Sequence, residues 1–436
     1  MSKLPLGWFS INTGSSFTQI STTKLKVKSK DTLDVGIYPV VDQGAEFIAG
    51  YVDDESKVIY VNNPLCIFGD HTRAIKWIDF DFVPGADGTK VLVPASYLFP
   101  KFFYYQLKSL EIEDRGYSRH FKYLKATNFK VAPLNEQIRI ANKLDSILAK
   151  VDKAQARLDK IPAILKRFRQ SVLAAATSGE LTKEWRESKD LHWEVTSFGK
   201  LIKNGPQNGI YKPSKLYGSG TKIIRIDGFY DGKLSPWESI KSVQLENDEL
   251  AKWKLKVDDI LINRVNSIEY LGKCGHVDCL PEDAVFESNI MRVELDKSLA
   301  NPLFIKHFLS SPIGLMRLRA NAKHAVNQAS INQTDVKSVE IQLPSIEEQK
   351  LIAELVEAFL DKANKVEKQY LEAKSRLDRL TQSILAKAFR GELVPQDPND
   401  EPAEKLLERI LAEKEQSKPK KTTRKRTTKA KTAEKE

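Results

Sequence analysis

Apolar residues recur at alternating spacings of four and three positions in two stretches of this 436-residue chain, and charged residues fill most positions between them. The first seam is Ile147, Val151, Ala154, Leu158, Ile161, Leu165, Phe168 and Val172, and the second is Phe359, Ala363, Val366, Tyr370, Ala373, Leu377, Leu380 and Ile384. This spacing is the heptad period of a coiled coil. Each stretch therefore predicts a long helix whose one narrow apolar stripe needs a partner helix to cover it.

The two stretches belong to a longer repeat, because residues 137–181 and 349–393 align without a gap. The matched positions include Gln137 and Gln349, Leu148 and Leu360, Leu165 and Leu377, and the two Gly-Glu-Leu ends. A period this long indicates duplication of a large unit rather than a solenoid. Identical registers favour pairing of the two helices within one chain; a surface helix pair and a homodimeric zipper are the alternatives. Pro162 occurs in the first copy alone and predicts a kink there.

Two β-rich regions precede the helices. In the first, short apolar runs are separated by turn signals and followed by a helix at about residues 98–110. The predicted strand runs are Ile37–Val41, Val58–Val61, Leu65–Phe68, Ala74–Phe82 and Lys90–Val93. The second region repeats this layout, since Trp193 and Gly199 have the same spacing as Trp8 and Gly14. We therefore predict an α+β fold with two mixed α/β domains.

The predicted segments are a first domain at 1–133, a first long helix at 134–181, a linker and second domain at 182–344, a second long helix and C-terminal segment at 345–413, and a tail at 414–436. Residues 417–436 hold nine Lys or Arg and two Glu, which is +7 of the net charge of +11, so the other 416 residues carry +4. Such a tail is expected to be disordered and to bind polyanions without specificity, or to act as a solubilising tail. Net charge alone therefore does not make the folded part a nucleic-acid binder.

Each domain ends in a basic stretch. Acids are absent between Asp114 and Glu136 and again from residue 317 until Asp335; aromatic residues are interleaved in the first stretch, and Asn and Gln in the second. Lys and Arg neutralise phosphates, while Arg, Asn and Gln pair bidentately with base edges. The predicted DNA-binding residues are Arg73, Arg115, Arg119, His120 and Lys122 in the first domain and Arg264, Asn266, Arg319, Lys323, His324, Asn327 and Gln328 in the second. Solvated loops with aromatic side chains in the core are the alternative.

The sequence argues against catalysis by this chain. It has neither a strand-linked G-x-G-x-x-G nor a G-x4-G-K-[ST] phosphate loop. Cys274, His276 and Cys279 lack a second ligand pair, so a structural metal is not expected. The three cysteines suit a reducing cytosol, and no apolar run is long enough to span a bilayer.

Several helical motifs resemble those of a known family. Pro133-Leu-Asn-Glu-Gln137, Pro344-Ser-Ile-Glu-Glu-Gln349, the stretch at 165–176 and the Gly-Glu-Leu ends are similar to the specificity (S) subunit of type I restriction–modification systems. The resemblance extends to about Glu413. It implies two target-recognition domains, each reading half of a bipartite DNA site, joined by two long helices that form an intramolecular antiparallel coiled coil. The coiled coil would fix the gap between the half-sites.

The same resemblance implies the partners and the compartment. They are double-stranded DNA, two modification subunits that carry S-adenosylmethionine and methylate adenine, and restriction subunits that use ATP and Mg²⁺. The chain itself would bind no cofactor and would be non-catalytic, cytoplasmic and prokaryotic. Two other hypotheses remain open at this point. One is a coiled-coil scaffold that touches DNA non-specifically through the basic tail, and the other is an adenine methyltransferase acting alone.

Overall fold

The computed structural model describes residues 4–116, 118–230, 232–326 and 328–416, with the side chains of 414–416 left out. The described chain forms two compact units. The first contains the residues up to Arg157 together with those from Ala373 onward, and the second contains Leu158–Glu372. Of the tail predicted at 414–436, residues 414–416 are helical and residues 417–436 lie outside the described residues. Among the described residues, no helix combines the length and the apolar character that crossing a membrane requires.

Eleven α-helices lie within the described residues. They are α1 (Pro100–Ser109), α2 (Phe121–Ala126), α3 (Leu134–Leu158), α4 (Ile161–Ser178), α5 (Lys183–Glu187), α6 (Asn247–Trp253), α7 (Pro302–Ser310), α8 (Pro312–Arg319), α9 (Gln333–Lys337), α10 (Ile346–Ala388) and α11 (Ala403–Gln416). The two long helical segments predicted from the heptads are therefore α3 with α4, and α10. Gly179 ends α4 with a φ of 81°, a conformation that glycine adopts without steric cost.

Pro162 interrupts the first long segment. Helix α3 ends at Leu158 and α4 begins at Ile161, so Pro162 occupies the first turn of α4. That position tolerates proline because the first amides of a helix have no intrahelical partner. In place of the predicted kink at Pro162, the structure has a break at residues 159–160 that separates two helices.

The first unit contains three small sheets. Their strands are β1 (Phe9–Asn12), β2 (Phe17–Ile20), β3 (Tyr38–Val41), β4 (Gly50–Val52), β5 (Leu65–Gly69), β6 (Ile75–Ile78), β7 (Val83–Pro84), β8 (Thr89–Pro94) and β9 (Asn128–Val131). The strand orders are β2-β8-β5-β6, β4-β3-β7 and β1-β9. Four of the five predicted runs contain a strand. The fifth, Val58–Val61, contributes a single bridge between Ile59 and Phe82.

The second unit has a larger sheet. Its strands are β10 (Glu194–Ser197), β11 (Ile202–Asn208), β12 (Tyr217–Ile224), β13 (Phe229–Tyr230), β14 (Gly232–Leu234), β15 (Ser242–Val243), β16 (Ile260–Asn263), β17 (Val265–Asn266), β18 (Cys274–His276), β19 (Ala284–Phe286), β20 (Ile290–Leu295), β21 (Lys323–Ala325), β22 (Gln328–Ser330) and β23 (Glu340–Leu343). The strand orders are β11-β20-β16-β18-β14-β13, β15-β12-β19, β17-β22-β21 and β10-β23. Both units thus mix helices with sheets, as predicted.

Long-helix residues enter the core of each unit. In the first unit, Leu144 of α3 and Leu385 of α10 are buried in one cluster with Phe102 of α1. In the second unit, Val172 of α4 and Val356 of α10 share a cluster with residues of α7. Burying side chains of this size contributes about 1.5–3 kcal/mol each. The α/β domains therefore pack directly on the long helices.

Direct contacts between the long helices occur within the second unit. In the second unit, the rings of Phe168 and Phe359 pack edge to face with centroids 6.3 Å apart, and Arg169 forms an ion pair with Glu367 at 2.7 Å. Ala176, further along α4, shares a core with Ile352, which comes earlier in α10. Within this unit the paired segments therefore run in opposite directions.

The predicted seam is buried unevenly. Leu165 is buried, while Ile147, Val151, Leu158, Phe359 and Leu377 are half-buried. The prediction is wrong at Val366 and Leu380, which are 43% and 48% exposed. A straight α-helix drifts by about 20° per heptad from a strict 3.5-residue repeat. In agreement with this drift, Leu380 is exposed while its neighbour Thr381 is half-buried. Every residue from 364 to 369 is exposed.

Candidate nucleic-acid interface

A three-stranded ribbon brings together four predicted DNA-binding residues of the second domain. Strand β22 lies between β17 and β21 and is antiparallel to both of them. Asn266 and His324 both lie opposite Ala329, from the two sides of β22. Paired residues share a face of a sheet, so these two polar side chains lie on the same face.

The remaining ribbon residues lie on the other face. Lys323 is paired with Ser330, and Gln328 is paired with Ala325, one position out of phase with the Asn266–His324 row. Lys323, His324 and Gln328 are exposed, and Val326 near the hairpin tip is 91% exposed. A two-stranded β-ribbon fits the major groove of B-DNA, and Asn and Gln match adenine there. Asn327 lies outside the described residues.

Arg264 and Arg319 hold the backbone of their own domain. Arg319 donates to the carbonyl oxygens of Leu271 (2.8 Å) and Glu269 (3.1 Å), which ties α8 to the loop after β17. Arg264 donates to the carbonyl oxygen of Ser288 at 3.2 Å. Burial lowers the pKa of the Arg319 guanidinium. Both side chains therefore bind backbone carbonyl oxygens of loops in their own domain. Their predicted contact with DNA stays a prediction.

In the first domain, two of the predicted residues hold the loop at residues 111–116. His120 is fully buried; its Nε2 accepts from the Arg115 amide at 3.3 Å, which leaves the ring proton on Nδ1, 3.1 Å from the Asp70 carbonyl oxygen. Arg73 donates to the Ile112 carbonyl oxygen at 2.9 Å and forms an ion pair with Asp114 at 2.6 Å. Both side chains are occupied with shaping the loop.

Two exposed cations, Arg115 of this loop and Lys122 of α2, lie beside the ring of Tyr123 in α2. Arg115 and Lys122 lie 4.6 and 4.8 Å from the centroid of the Tyr123 ring, and Arg115 also forms an ion pair with Glu113 at 2.8 Å. A hydrogen bond from Lys122 lowers the pKa of the Tyr123 hydroxyl, and Glu113 raises the pKa of Arg115. Arg119 is exposed. Cations that lie beside an aromatic ring and remain open to solvent suit contacts with a nucleic-acid backbone.

The sequence analysis missed a second cation–aromatic cluster. Lys273 lies 4.1 Å from the ring centroid of Tyr230 and 6.0 Å from that of Tyr270, and both tyrosines are about half exposed. The sequence carries no signal for this cluster, because Tyr230 lies 40 residues before Tyr270 and 43 before Lys273. Strand β13, which contains Tyr230, pairs with β14, and β14 pairs with β18 next to Lys273. Among the described residues, no group of His, Cys, Asp and Glu side chains has the arrangement of a metal site.

The stability of the His120→Ala variant tests the role assigned to this buried ring. We expect a loss of about 1–3 kcal/mol in the free energy of unfolding, because the Asp70 carbonyl and the Arg115 amide lose a partner. Urea unfolding of the full chain gives this value. The matched control is Arg119→Ala, which should change the unfolding free energy by less than about 0.5 kcal/mol. A His120→Ala chain of unchanged stability would show that the ring does not hold the loop.

Comparison with known proteins identifies the family. The EcoDI specificity subunit of Escherichia coli is 30% identical over an alignment 458 positions long, which covers 97% of this chain and 99% of that subunit. The chain belongs to the family of type I restriction enzyme specificity subunits. The family model described as the type I restriction modification DNA specificity domain matches residues 192–373, which include the ribbon.

Two further comparisons agree with this family. The StySPI specificity subunit of Salmonella potsdam is 39% identical over 309 residues, and the aligned part covers 69% of this chain and 66% of that subunit. A solved structure shares the fold with a TM-score of 0.66 at 17% identity, and the match covers 90% of this chain and all of the other. That structure is described as the structural basis of complex assembly and conformational transition of the type I R-M system.

Proposed function

We propose that this specificity subunit recognises a bipartite DNA sequence and directs adenine methylation or restriction by partner subunits. The observation that carries the proposal is a pair of exposed polar elements, one on each α/β domain. They are the ribbon of β17, β22 and β21 in the second domain and the exposed cations around Tyr123 in the first. Each domain packs on a long helix that could hold it at a fixed place along DNA.

Within a domain, some side chains would contact phosphates and others would contact base edges. Asn266, His324 and Gln328 are the proposed base readers of the second domain, since amide and imidazole groups match base edges in the major groove. Lys323 is a proposed phosphate contact, because a single ammonium group neutralises phosphate without distinguishing bases. In the first domain, Arg115, Arg119 and Lys122 are the exposed candidates.

The long helices would act as the spacer between the half-sites. Opposite chain directions in the second unit and the core shared by α3 and α10 in the first unit support an antiparallel coiled coil along their length. In this proposal S-adenosylmethionine, ATP and Mg²⁺ are bound by two modification subunits and the restriction subunits, in the cytoplasm of a prokaryote. The chain itself has no catalytic role, and its basic tail adheres to DNA.

Selection of DNA from a random library by the full chain, assembled with modification subunits of its host, tests the proposed function. The expected result is one split motif with two defined halves and a constant gap. Methylation mapping in host cells with and without the chain should show the same motif. Retention of random DNA without any motif, by an assembled complex that is otherwise active, would overturn the proposal.

Removal of residues 417–436 separates this function from the scaffold hypothesis. We expect the shortened chain to keep its sequence preference and to lose general affinity, because the tail carries a charge of +7 that does not read bases. Competition binding at several salt concentrations measures both quantities. A control chain with the tail lysines and arginines replaced by glutamine should behave in the same way. Complete loss of DNA binding after either change would favour a scaffold.

A further inference from the structure

A buried glutamine connects the first domain to its long helix. Gln137 of α3 is fully buried, and its Oε1 accepts from the Phe99 amide at 2.7 Å. Its Nε2 donates to the carbonyl oxygens of Tyr97 (3.1 Å) and Ala132 (2.9 Å). Tyr97 and Phe99 lie in the segment that leads into α1. One side chain therefore joins the start of the long helix to the entry of the domain's own helix.

The second unit contains the same contacts. Gln349 of α10 is fully buried, and its Oε1 accepts from the Asn301 amide at 2.8 Å. Its Nε2 donates to the carbonyl oxygens of Leu299 (3.0 Å) and Pro344 (2.9 Å). Asn301 immediately precedes α7, as Phe99 immediately precedes α1. All three backbone partners therefore occupy equivalent places in the two halves of the chain.

An indole beside the glutamine is also duplicated. Trp8 Nε1 donates to Glu136 at 3.0 Å in the first unit, and Trp193 Nε1 donates to Glu348 at 2.9 Å in the second. Each glutamate directly precedes the buried glutamine in sequence. Burial raises the pKa of Glu136. The first turns of both long helices are thus tied to the first strand region of their domain as well.

A second attachment lies further along each helix. The Tyr105 hydroxyl of α1 donates to Asp145, and Lys306 of α7 forms an ion pair with Glu357 at 2.6 Å. Asp145 and Glu357 each follow the glutamine by eight residues, which is about 12 Å along a helix. Attachment at two points fixes the direction of a domain as well as its position. We call the glutamine and this acid, in each unit, the clamp.

We propose that Gln137 and Gln349 are positioning residues that hold each DNA-reading domain in one orientation on its helix, so that the subunit accepts a single gap length. This inference rests on the proposed function. One added base pair moves a half-site by about 3.4 Å and turns it by roughly 34°, given about 10.5 base pairs per turn. A domain locked at two points cannot follow both changes, whereas a domain released from its clamp can pivot toward the displaced half-site.

The test measures gap discrimination with the half-site sequences held constant. Duplexes that carry the selected motif with its own gap, or with one base pair more or less, compete for the full chain assembled with modification subunits. For Gln137→Ala and for Gln349→Ala, we expect the preference for the correct gap to fall about tenfold, which corresponds to 1.4 kcal/mol. Base preference within each half-site should stay as in the unaltered chain.

Two further variants keep the test decisive. Tyr105→Phe removes only the hydroxyl that contacts Asp145, so it should fold and show a smaller change in the same direction. Gln170→Ala removes an exposed glutamine from α4 and should leave gap preference unchanged. A purely structural role would lower the active fraction equally for every gap and leave the ratio constant. That constant ratio in the clamp variants, beside normal discrimination by the unaltered chain, would overturn the inference; absence of any sequence preference in the unaltered chain would instead overturn the proposed function.

Discussion

Replacing Asn266, His324 and Gln328 together by alanine is expected to abolish base discrimination in one half of the recognition site and to leave the other half intact. Asn266 and His324 lie on one face of the ribbon and Gln328 lies on the other, so the triple variant removes the proposed base-reading side chains from both faces. Each good base contact contributes about 1–3 kcal/mol of discrimination. Since 1.4 kcal/mol is a factor of ten, the triple variant should lose at least about a hundredfold in the altered half-site.

Selection from a random library, repeated with the triple variant in the assembled complex, measures this outcome position by position. Lys323→Ala is the matched control from the same hairpin. As a phosphate contact it should weaken binding to all sequences equally and reduce the salt dependence by about one ion. A triple variant that relaxes both half-sites to the same extent would show that the ribbon supports the fold and does not read bases.

The spacing of apolar residues was enough to predict the long helices. Heptads extend over many turns, so a local pattern determines both the type of element and the face that needs a partner. The C-terminal end of each seam followed this pattern, as the burial of Val172 and Ile384 shows. The middle of each seam did not, since Val366 is exposed and Pro162 separates α3 from α4. A strict heptad repeat describes a supercoil, and α10 departs from this pattern at residues 364–369, which are all exposed.

Composition could not separate residues that face solvent from those that hold the fold. His120 and Arg319 lie in the basic stretches and Arg73 lies in an earlier turn, yet each bonds to a backbone carbonyl group far away along the chain. Those partners are 39 to 50 residues away along the chain. Sequence periodicity reports only on neighbours within a few residues. It therefore cannot show that such a guanidinium or imidazole group already has a hydrogen-bond partner in the fold.

Long-range pairing also created the most specific feature of the candidate interface. Asn266 lies in a two-residue strand and becomes part of the ribbon because β22 pairs with it from more than 60 positions further along the chain. The repeat identified Gln137 and Gln349 as equivalent residues, but their role depends on carbonyl groups that precede α1 and α7. In both cases the residue type was visible in the sequence, while its partner was set by topology.

Insertion of one heptad into residues 147–158 of α3, with a second inserted into residues 373–384 of α10, is expected to lengthen the preferred gap without altering either half-site. Seven residues add about 10.5 Å to a helix, which equals the rise of about three base pairs. The preferred gap should increase by at least one and at most three base pairs. The increase can be smaller than three because each added base pair also turns the half-site. A whole heptad keeps the apolar stripes facing one another.

The matched control for the lengthened spacer is an insertion of four residues in one helix alone, which shifts the stripe of that helix past its partner. We expect this chain to lose stability, because apolar seam residues are brought out of contact. Library selection by the assembled complex reports the gap, and urea unfolding reports the stability. If the doubly lengthened chain folds, binds DNA and keeps its original gap, the helices do not set the distance between half-sites. The domains would then have to reach their half-sites by some route that does not depend on helix length.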